Sequence, residues 1–510
     1  MKKICLPIVL SISFSHLFSQ SPEVALQISW NTQAGTARNQ AIGGAMGSLG
    51  GDASSLLVNP AGIAFYKTSD FIISPGLHFT NGKSFFRDSK NSAQKINGNI
   101  LGTSGFIIGG KGRRAKNSSG VIISRVANFN QNIYYKGLND YSSFAEPLAD
   151  EFAESNLTIG QAMNNNSISL QTKMALYTYL VDTATIAGVK RVIARSELVP
   201  NRQQINRIET SGGITEITWG ESSELNEKWM VGISFGIPII QYNRTQYYRE
   251  EDASGNVNNN FNFFSYSENI KVSGLGMNFK TGVIFRPQDR LRLGIAFHSP
   301  SFLTLSEKIN SSLATDVEKL FTPASGYDSV ASSLFTGSET IKKKYLLSTP
   351  SKLLLSVSYV FQEVEDVVMQ KGFLTADVEY TNYKWMKFEP FENSTDANWY
   401  LPQNKIINSI YKEAINIRIG GEMKFKTFMA RAGVGYYGSP YKDSKLNANK
   451  TTISGGLGYR DKGFFVDVSY VHRLNKDVNF PYRINPPKAN TFASLKENGG
   501  YFLLTFGIKR

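Results

Sequence analysis

Apolar and polar residues alternate along many segments of the chain, which is the pattern of β-strands with one buried face. Between residues 373 and 380, Leu374, Ala376 and Val378 share one face, while Asp377 and Glu379 lie on the other. The same period of two recurs around residues 291–297, 353–359, 415–419 and 464–470. The pattern predicts strands near 70–80, 98–110, 118–136, 204–220, 227–249, 261–286, 289–309, 340–362, 371–386, 412–426, 427–440, 449–460, 462–475 and 496–510.

The predicted strands are joined alternately by short and long links. The short links are 111–117, 221–226, 287–288, 363–370, 426–427 and 461, and the long ones include 137–203, 310–339, 387–411 and 476–495. Apolar and polar residues also alternate along the strands of a soluble β-sandwich, but that fold does not require every short link to lie on one side. Outer-membrane barrels do so, with short periplasmic turns and longer outer loops. We therefore predict an all-β fold, a transmembrane outer-membrane β-barrel of about fourteen antiparallel strands.

The chain begins with the features of a secretory signal. Lys2 and Lys3 precede an apolar core at residues 4–18, and Ser19 is a suitable small residue for cleavage. The only cysteine, Cys5, lies inside this segment, so the mature chain is predicted to lack disulfides and thiolate metal sites. The predicted organisation is a signal peptide at 1–20, an N-terminal plug at 21–66, which we call the hatch, and a barrel at 67–510.

The hatch is predicted from a glycine-rich stretch at residues 42–65, IGGAMGSLGGDASSLLVNPAGIAF. Dense glycines permit positive φ angles and close packing, but they cost conformational entropy that a free surface segment would not recover. Pro60 fixes its own φ and biases Asn59 away from helix. The alternative is a flexible leader, but the apolar run before the turn favours an ordered plug. The predicted hatch motif comprises Gly51, Asp52, Asn59, Pro60, Ala61 and Gly62.

The stretch GDASSLLVNPAGIAF, followed at once by an alternating strand, resembles the start of the FadL-type family of outer-membrane transporters for long-chain fatty acids and aromatic hydrocarbons. The resemblance implies that the hatch, with its Asn-Pro-Ala motif, plugs a barrel of fourteen strands. It further implies a lateral exit through a gap beside a kinked strand. The third predicted strand has no glycine between 121 and 130, whereas the second has Gly102 and Gly105, so the position of the gap stays open.

Candidate catalytic groups are sparse. His78, His298 and His472 lie on separate predicted strands, and His298 and Ser299 are neighbours whose side chains point to opposite faces. They therefore cannot act together as base and nucleophile. We predict no enzymatic activity, no metal site and no cofactor.

The predicted inner face of the barrel carries charges of both signs: Lys280, Arg292, Asp377, Glu379, Arg418, Glu422, Asp467 and Arg473. Each Lys or Arg facing lipid at the midplane would cost about 2–4 kcal/mol, so this face must point inward. Mixed signs predict ion pairs that fill the interior. The resemblance implies basic residues near the headgroup of an amphiphilic ligand, and Lys280, Arg292 and Arg418 are our candidates for that role.

The link at 137–203 is too long for a structureless loop, so we expect two short amphipathic helices over the barrel mouth. Residues at helical spacing there are candidates for capturing a hydrophobic ligand: Phe144, Leu148, Phe152, Met174 and Tyr177, with Val181 following at the same spacing. The alternative is that these helices only pack on their own barrel.

The net charge of +14, or +12 without Lys2 and Lys3 (14 − 2), is spread over turns and loops. Nucleic-acid binding would require basic residues clustered with aromatic ones, so we expect no nucleic-acid partner. The run from Lys342 to Lys344 at an outer strand end is either a solvated rim or a contact with lipopolysaccharide. The expected partners are outer-membrane lipid and a hydrophobic small molecule, and the barrel is expected to be a monomer.

The resemblance implies uptake of hydrophobic or amphiphilic small molecules such as long-chain fatty acids. Outer loops would capture the ligand, an internal apolar pocket would hold it, and a movement of the hatch would release it. Two alternatives remain open at this point: a barrel that carries cargo for protein secretion, and a general diffusion porin.

Overall fold

The structure is a computed structural model, and it describes residues 22–110, 117–186, 188–321, 326–362, 371–392 and 397–510. The predicted signal peptide lies outside these residues. So do Lys111, Arg113, Arg114 and Lys116 of the basic turn that follows the second predicted strand.

Extended segments account for most of the described chain. The strands are β1 Asp70–Ile73, β2 Pro75–Phe86, β3 Ser89–Ser92, β4 Ile96–Leu101, β5 Ser104–Ile108, β6 Asn117–Asn128, β7 Gln131–Asn139, β8 Val181–Ile186, β9 Val189–Ala194, β10 Arg202–Asn226, β11 Trp229–Asp252, β12 Phe263–Gln288, β13 Leu291–His298, β14 Phe302–Asp316, β15 Tyr327–Ala331, β16 Ile341–Ser348, β17 Lys352–Phe361, β18 Gly372–Asn382, β19 Lys387–Pro390, β20 Glu413–Phe425, β21 Phe428–Tyr437, β22 Asn449–Asp461, β23 Phe464–Asn479 and β24 Ala493–Lys509.

Apart from β8 and β9, which form a separate hairpin, these strands form a closed antiparallel barrel of fourteen crossings, as predicted. A crossing is one passage of the chain along the wall, and several crossings are interrupted by a short break. Each of these consists of two consecutive strands: β1 and β2, β4 and β5, β6 and β7, β13 and β14, β16 and β17, and β18 and β19. Closure comes from the last strand, β24, which pairs with both β1 and β2. The register places Phe71 opposite Ile508 and His78 opposite Tyr501.

The links alternate in length as expected, but several predicted bounds were wrong. The ladder between β10 and β11 continues through Glu221 and Ser223, so the turn there is only 227–228 instead of 221–226. Similarly, β22 includes Asp461, and the turn after it is 462–463. Backbone pairing continues through polar side chains, which is why composition placed these turns too early. The long loops are correspondingly shorter than predicted: 140–201, 317–340, 391–412 and 480–492.

The two faces of the wall differ as the alternation predicts. Outward positions such as Leu77, Ile237, Leu355 and Ile417 are largely exposed on the isolated chain, where lipid would cover them. Trp219 also faces outward near the short turns, as the aromatic residues of a membrane interface do. The charged residues predicted for the inner face, among them Arg418 and Asp467, are buried in the interior.

Helices occur in the N-terminal segment and in the long loops. They are α1 Pro22–Ser29, α2 Ala37–Ala41, α3 Ser55–Val58, α4 Glu146–Ser155, α5 Ile159–Asn164, α6 Leu170–Tyr177, α7 Ser333–Thr336 and α8 Ala397–Ile410, with single 3₁₀ turns at Pro60–Phe65, Arg195–Leu198, Tyr383–Trp385 and Ser444–Leu446. In the described chain, none of the helices is both long and apolar enough to cross a membrane.

The loop at 140–201 carries three helices, α4 to α6, where two were expected. Capping explains the additional one, because the hydroxyl of Thr158 accepts a hydrogen bond from the amide of Gln161 at the start of α5. The spacing that placed Val181 on a helix was misleading, since this residue begins β8 of a small hairpin.

Candidate transport pathway

The described part of the hatch, residues 22–66, is held in shape by polar contacts around Asp52. The hydroxyl of Thr36 donates to both carboxylate oxygens at 3.0 and 2.9 Å, and the amide of Ser54 donates at 2.9 Å. The guanidinium of Arg38 donates to the carbonyl of Gly51 at 2.8 Å. Gly51 has a φ of 66°, a left-handed conformation that favours glycine. Asp52 therefore organises the fold of the hatch.

Asn59 and Pro60 join the hatch to the wall. The amide of Asn59 donates to the carbonyl of Gly47 at 2.6 Å and lies 3.3 Å from the carbonyl of Val283 in β12. Its side-chain oxygen accepts from the amide of Ala61 at 3.1 Å, which starts the 3₁₀ turn at Pro60. The motif read from the sequence thus sits at a contact between hatch and barrel.

Glycines on the inner face let the backbone of the hatch approach the wall closely. A Cβ at Gly433 would lie 2.2 Å from the amide nitrogen of Gly43, and one at Gly294 would lie 2.4 Å from the carbonyl oxygen of Gly47. Both distances are too short for any larger residue. Comparable contacts with the hatch occur at Gly220, Gly232, Gly282, Gly420 and Gly456.

Three wall residues bind the hatch backbone directly. The carboxylate of Asp377 accepts from the amides of Met46 and Gly47 at 3.1 and 3.2 Å. Arg292 donates to the carbonyl of Leu49 at 2.6 Å, and the imidazole Nε2 of His298 lies 2.7 Å from the carbonyl oxygen of Val58. Because all three wall residues are buried, these bonds are shielded from water and hold the hatch firmly.

Ion pairs fill the remaining interior, as the mixed signs predicted. Arg418 lies 3.1 Å from Glu379 and 3.5 Å from Asp377, and Arg431 lies 2.6 Å from Glu422 and 2.5 Å from Asp467. On the opposite side Lys280 pairs with Glu216 at 2.6 Å. These paired charges neutralise one another inside the wall.

A cavity of about 490 Å³ lies above the hatch, under the outer loops. Its walls combine α1, the loop helix α4, and the outer ends of the long strands β10 to β12. Apolar and aromatic side chains dominate the lining, including Phe144, Leu148, Ile168, Tyr242, Tyr266, Ile406, Tyr441, Phe480 and Tyr482. The volume and the lining are those of a site for a small hydrophobic molecule.

Two carboxyl groups of this lining, Glu151 and Glu154, lie on α4, outside the barrel wall. Burial raises the pKa of Glu151, although the amide of Ser169 donates to its carboxylate at 2.8 Å and the hydroxyl of Thr172 donates as well. Glu151 thereby ties α4 to the start of α6.

The wall is interrupted beside a second, smaller cavity of about 110 Å³. Within the described chain, β4 pairs with β2 alone, while β6 and β7 pair with β10 on their far side, so no ladder joins residues 96–101 to residues 124–131. Below this gap β5 and β6 pair normally, and above it Asn91 donates to the carbonyl of Lys136 at 3.0 Å. The gap therefore opens between the second and third crossings.

The third crossing is interrupted at Phe129 and Asn130, between β6 and β7, although it has no glycine between 121 and 130. The amide of Gly212 in β10 donates to the side chain of Asn130 at 3.0 Å, and the amide of Phe129 donates to the carbonyl of Gly212. Gly212 has a φ of 105°, which a residue with a Cβ rarely adopts. The glycine that permits this interruption is on the neighbouring strand, which explains why the third strand alone gave no signal.

Comparison with known proteins identifies this architecture. Residues 215–492 match the family model of the outer membrane protein transport protein (OMPP1/FadL/TodX). The chain belongs to this family. The match covers barrel strands and not the hatch, so it supports independently the resemblance found at Asn59-Pro60-Ala61.

Solved members of related folds superpose over nearly the whole chain. A FadL homologue of Pseudomonas aeruginosa is 14% identical, covers 94% of this chain and 99% of its own, and has a TM-score of 0.56. The Pseudomonas putida toluene transporter TodX is 12% identical, covers 95% and 99%, and has a TM-score of 0.51. At these identities the likeness concerns the fold. No curated protein sequence matches the chain.

Membership of the family places the protein in the outer membrane as a transport barrel, as predicted. The family is one of transport proteins and not of enzymes. Among the described residues, no group of three or more His, Cys, Asp and Glu side chains is arranged to hold a metal ion.

The predicted capture residues separate into three environments. Phe144 and Leu148 line the large cavity, whereas Phe152 and Met174 are buried in the packing between the loop helices. Tyr177 is half exposed and packs edge-on against Phe335, away from the cavity. The structure therefore brings two of the five together at the cavity.

None of the three basic candidates lines the large cavity. Lys280 and Arg418 face a separate space of about 140 Å³ between hatch and wall, and both are paired with carboxylates. Arg292 binds a hatch carbonyl and lies 4.5 Å from the ring of Phe65. A role in binding a ligand carboxylate stays a prediction for these residues.

The charged residues that do line the cavity were missed. They include Arg244 and Glu268 on β11 and β12, and Lys450 on β22. Strand length was the feature of the sequence that could have indicated Arg244 and Glu268. The strands β10, β11 and β12 have 25, 24 and 26 residues, far more than the roughly 9–11 needed to cross a bilayer. Their outer ends had to form something beyond the membrane, and they form the cavity wall.

Proposed function

We propose that the protein admits hydrophobic small molecules through the outer membrane. The observation that carries this proposal is the succession of two cavities, the larger one under the loops and the smaller one at the wall gap. Both are lined by Gln27, Gln131, Lys450 and Asp477, so the spaces adjoin. A ligand would enter between the loop helices, bind in the large cavity and leave sideways toward lipid.

The hatch closes the direct route to the periplasm in this scheme. Its bonds to Asp377, Arg292 and His298 and its fit against the wall glycines support a closed resting state. A general diffusion porin would need an open lumen, which the hatch fills. The proposal is compatible with two classes of ligand, long-chain fatty acids and aromatic hydrocarbons.

The test is uptake of radiolabelled toluene and of oleate by cells with and without the protein. A Val126→Trp variant would narrow the gap cavity and is expected to reduce uptake, since Val126 lines it. Ile123→Trp is the matched control, because Ile123 faces outward on the same strand, where lipid accepts tryptophan. Equal uptake with and without the protein would contradict the proposal. Steady ion conductance in a planar bilayer would favour a porin, and co-purification with exported proteins would favour secretion.

A further inference from the structure

The charges around the large cavity identify the class of ligand. From them we infer that the cavity accepts uncharged hydrophobic molecules and discriminates against carboxylates such as ionised fatty acids. This inference rests on the proposed function and concerns the same cavity. Among the described residues of the lining, the cations are engaged by protein groups, carboxylates outnumber them, and most of the uncharged side chains are apolar or aromatic.

Two of the three cations in the lining already form ion pairs. The guanidinium of Arg244 donates to Glu268 at 3.1 Å, and a second nitrogen donates to the side-chain oxygen of Gln246. Arg483, in the loop after β23, is paired with Glu23 of α1. A ligand carboxylate at either arginine would therefore compete with a protein carboxylate, Glu268 of β12 or Glu23 of α1.

The third cation, Lys450, is engaged by the hatch. Its ammonium donates to the carbonyl of Trp30 at 2.5 Å and lies 4.2 Å from the centroid of the indole ring. A cation over the face of tryptophan is attracted by the ring quadrupole. Lys450 also faces Asp477, which lines the same cavity. Its ammonium group is therefore already engaged by groups of the protein.

Carboxylates outnumber cations among the described residues that line the cavity. The acidic members of the lining are Glu23, Glu151, Glu154, Glu268 and Asp477, against Arg244, Lys450 and Arg483. Like charges brought together in a partly dehydrated site cost several kcal/mol, which is a large penalty for a ligand carboxylate. An alcohol, an ester or a hydrocarbon of the same length carries no such penalty and retains the contacts with the aromatic walls.

A matched pair of ligands tests this inference: 12-bromododecanol and 12-bromododecanoate at pH 8. Bromine quenches tryptophan fluorescence at contact, and Trp30 lines the cavity. The Trp30→Phe variant gives the background from the other four tryptophans of the chain, among them Trp219 and Trp229, which face the lipid side. Titration of the protein in nanodiscs, after subtraction of that background, is expected to show about tenfold or tighter binding of the alcohol.

A second variant shows whether the cavity charges are the cause. Glu268→Gln releases Arg244 from its ion pair while keeping an acceptor for the hydroxyl of Tyr266, which donates to Glu268 at 2.7 Å. The affinity for bromododecanoate is expected to rise about fivefold, and that for the alcohol to change less than about twofold. Glu413→Gln is the control, because Glu413 is exposed and pairs with Lys384 away from the cavity.

The outcomes separate this inference from the proposed function. Equal or tighter binding of bromododecanoate, or carboxylate binding that disappears in Lys450→Met, would overturn the ligand class but leave transport intact. Quenching of Trp30 by neither probe would overturn the cavity as a ligand site, and with it both proposals.

Discussion

The contact of the hatch with the wall and the loop cavity both bring together distant parts of the chain, but they are built in opposite ways. The hatch contacts the wall through glycines such as Gly433, which allow close backbone packing, and through hydrogen bonds from its backbone to residues such as Asp377. These contacts leave no free space between hatch and wall. The cavity is bounded by long side chains around a volume of about 490 Å³. Substitutions at the hatch should therefore change stability and gating, whereas substitutions at the cavity should change affinity.

The difference also concerns charge. Around the hatch, Asp377 and Arg418 are almost completely buried and serve the protein's own structure. Around the cavity, Arg244 and Arg483 keep about a fifth of their side-chain surface exposed. Water and ligand can reach the second pair of residues but not the first, so ligand selection depends on the cavity.

The largest effect is expected for Asp377→Ala. It would remove the acceptor for the amides of Met46 and Gly47 and one of the two partners of Arg418. Breaking a buried pair in this way costs about 3–5 kcal/mol of folding free energy. The measurement is urea unfolding of the barrel in detergent. Glu413→Ala, at an exposed pair with Lys384, should leave stability nearly unchanged because solvent screens the pair, and an equal loss in both variants would contradict the role of Asp377.

A smaller effect is expected for Gly433→Val, which would push a side chain into the backbone of Ile42 and Gly43 at 2.2 Å. Overpacking of this kind costs about 1–3 kcal/mol, and the hatch is the element free to move. Conductance in planar bilayers should therefore rise. Gly455→Val is the matched control on the adjacent strand, where the nearest atom to the added Cβ is 3.6 Å away. A closed Gly433→Val channel would show that the hatch does not depend on this contact.

The two regions also differ in how far they could be predicted from the sequence. The hatch motif is contiguous in the sequence, because Asn59, Pro60 and the glycines lie within 25 residues. The backbone conformations that these residue types favour could therefore be inferred directly from the sequence. The cavity combines α1, β11, α4 and β22, which are hundreds of residues apart. Alternation revealed which face of a strand points inward, and this placed Arg418 and Asp467 correctly. It contained no information on which inward residues meet above the hatch.

Leu148→Trp tests the cavity itself. Leu148 lines the cavity from α4, so a larger ring there would occupy ligand volume without disturbing the barrel. A loss of about 1 kcal/mol in ligand affinity corresponds to an approximately fivefold weaker binding, which should appear as reduced uptake at low ligand concentration. Tyr177→Trp, on the same loop but outside the cavity, should leave uptake unchanged. Equal loss in both variants would indicate capture over the whole loop surface.

The smallest expected effect is a pH dependence of the loop helices. Burial raises the pKa of Glu151 in the folded state, so the carboxyl group favours folding while it is protonated. The contribution of Glu151 to the free energy of folding is fully present below the pKa that this residue has in the unfolded chain. It is lost as the pH rises from that value to the raised pKa of the folded state, and it is absent at higher pH. The nearby carboxylate of Glu154 raises the pKa of Glu151 further. Lys173 faces Glu151 from α6, and the ionised form of Glu151 stabilises the charged form of this lysine.

Nitroxide mobility at a Gln161→Cys label on α5 reports this change, because α5 lies between the two helices that Glu151 joins. Mobility should increase as the pH rises from 4 to 8, and a Glu151→Gln background, which cannot ionise, should remove most of the change. The same titration at a label on a partly exposed position of the hatch, such as Ala64→Cys, should be flat, because the turn at Pro60–Phe65 lies away from Glu151 and α4. Parallel changes at both labels would mean that loop and hatch move together, so that a ligand entering the cavity could be coupled to the hatch through the protein.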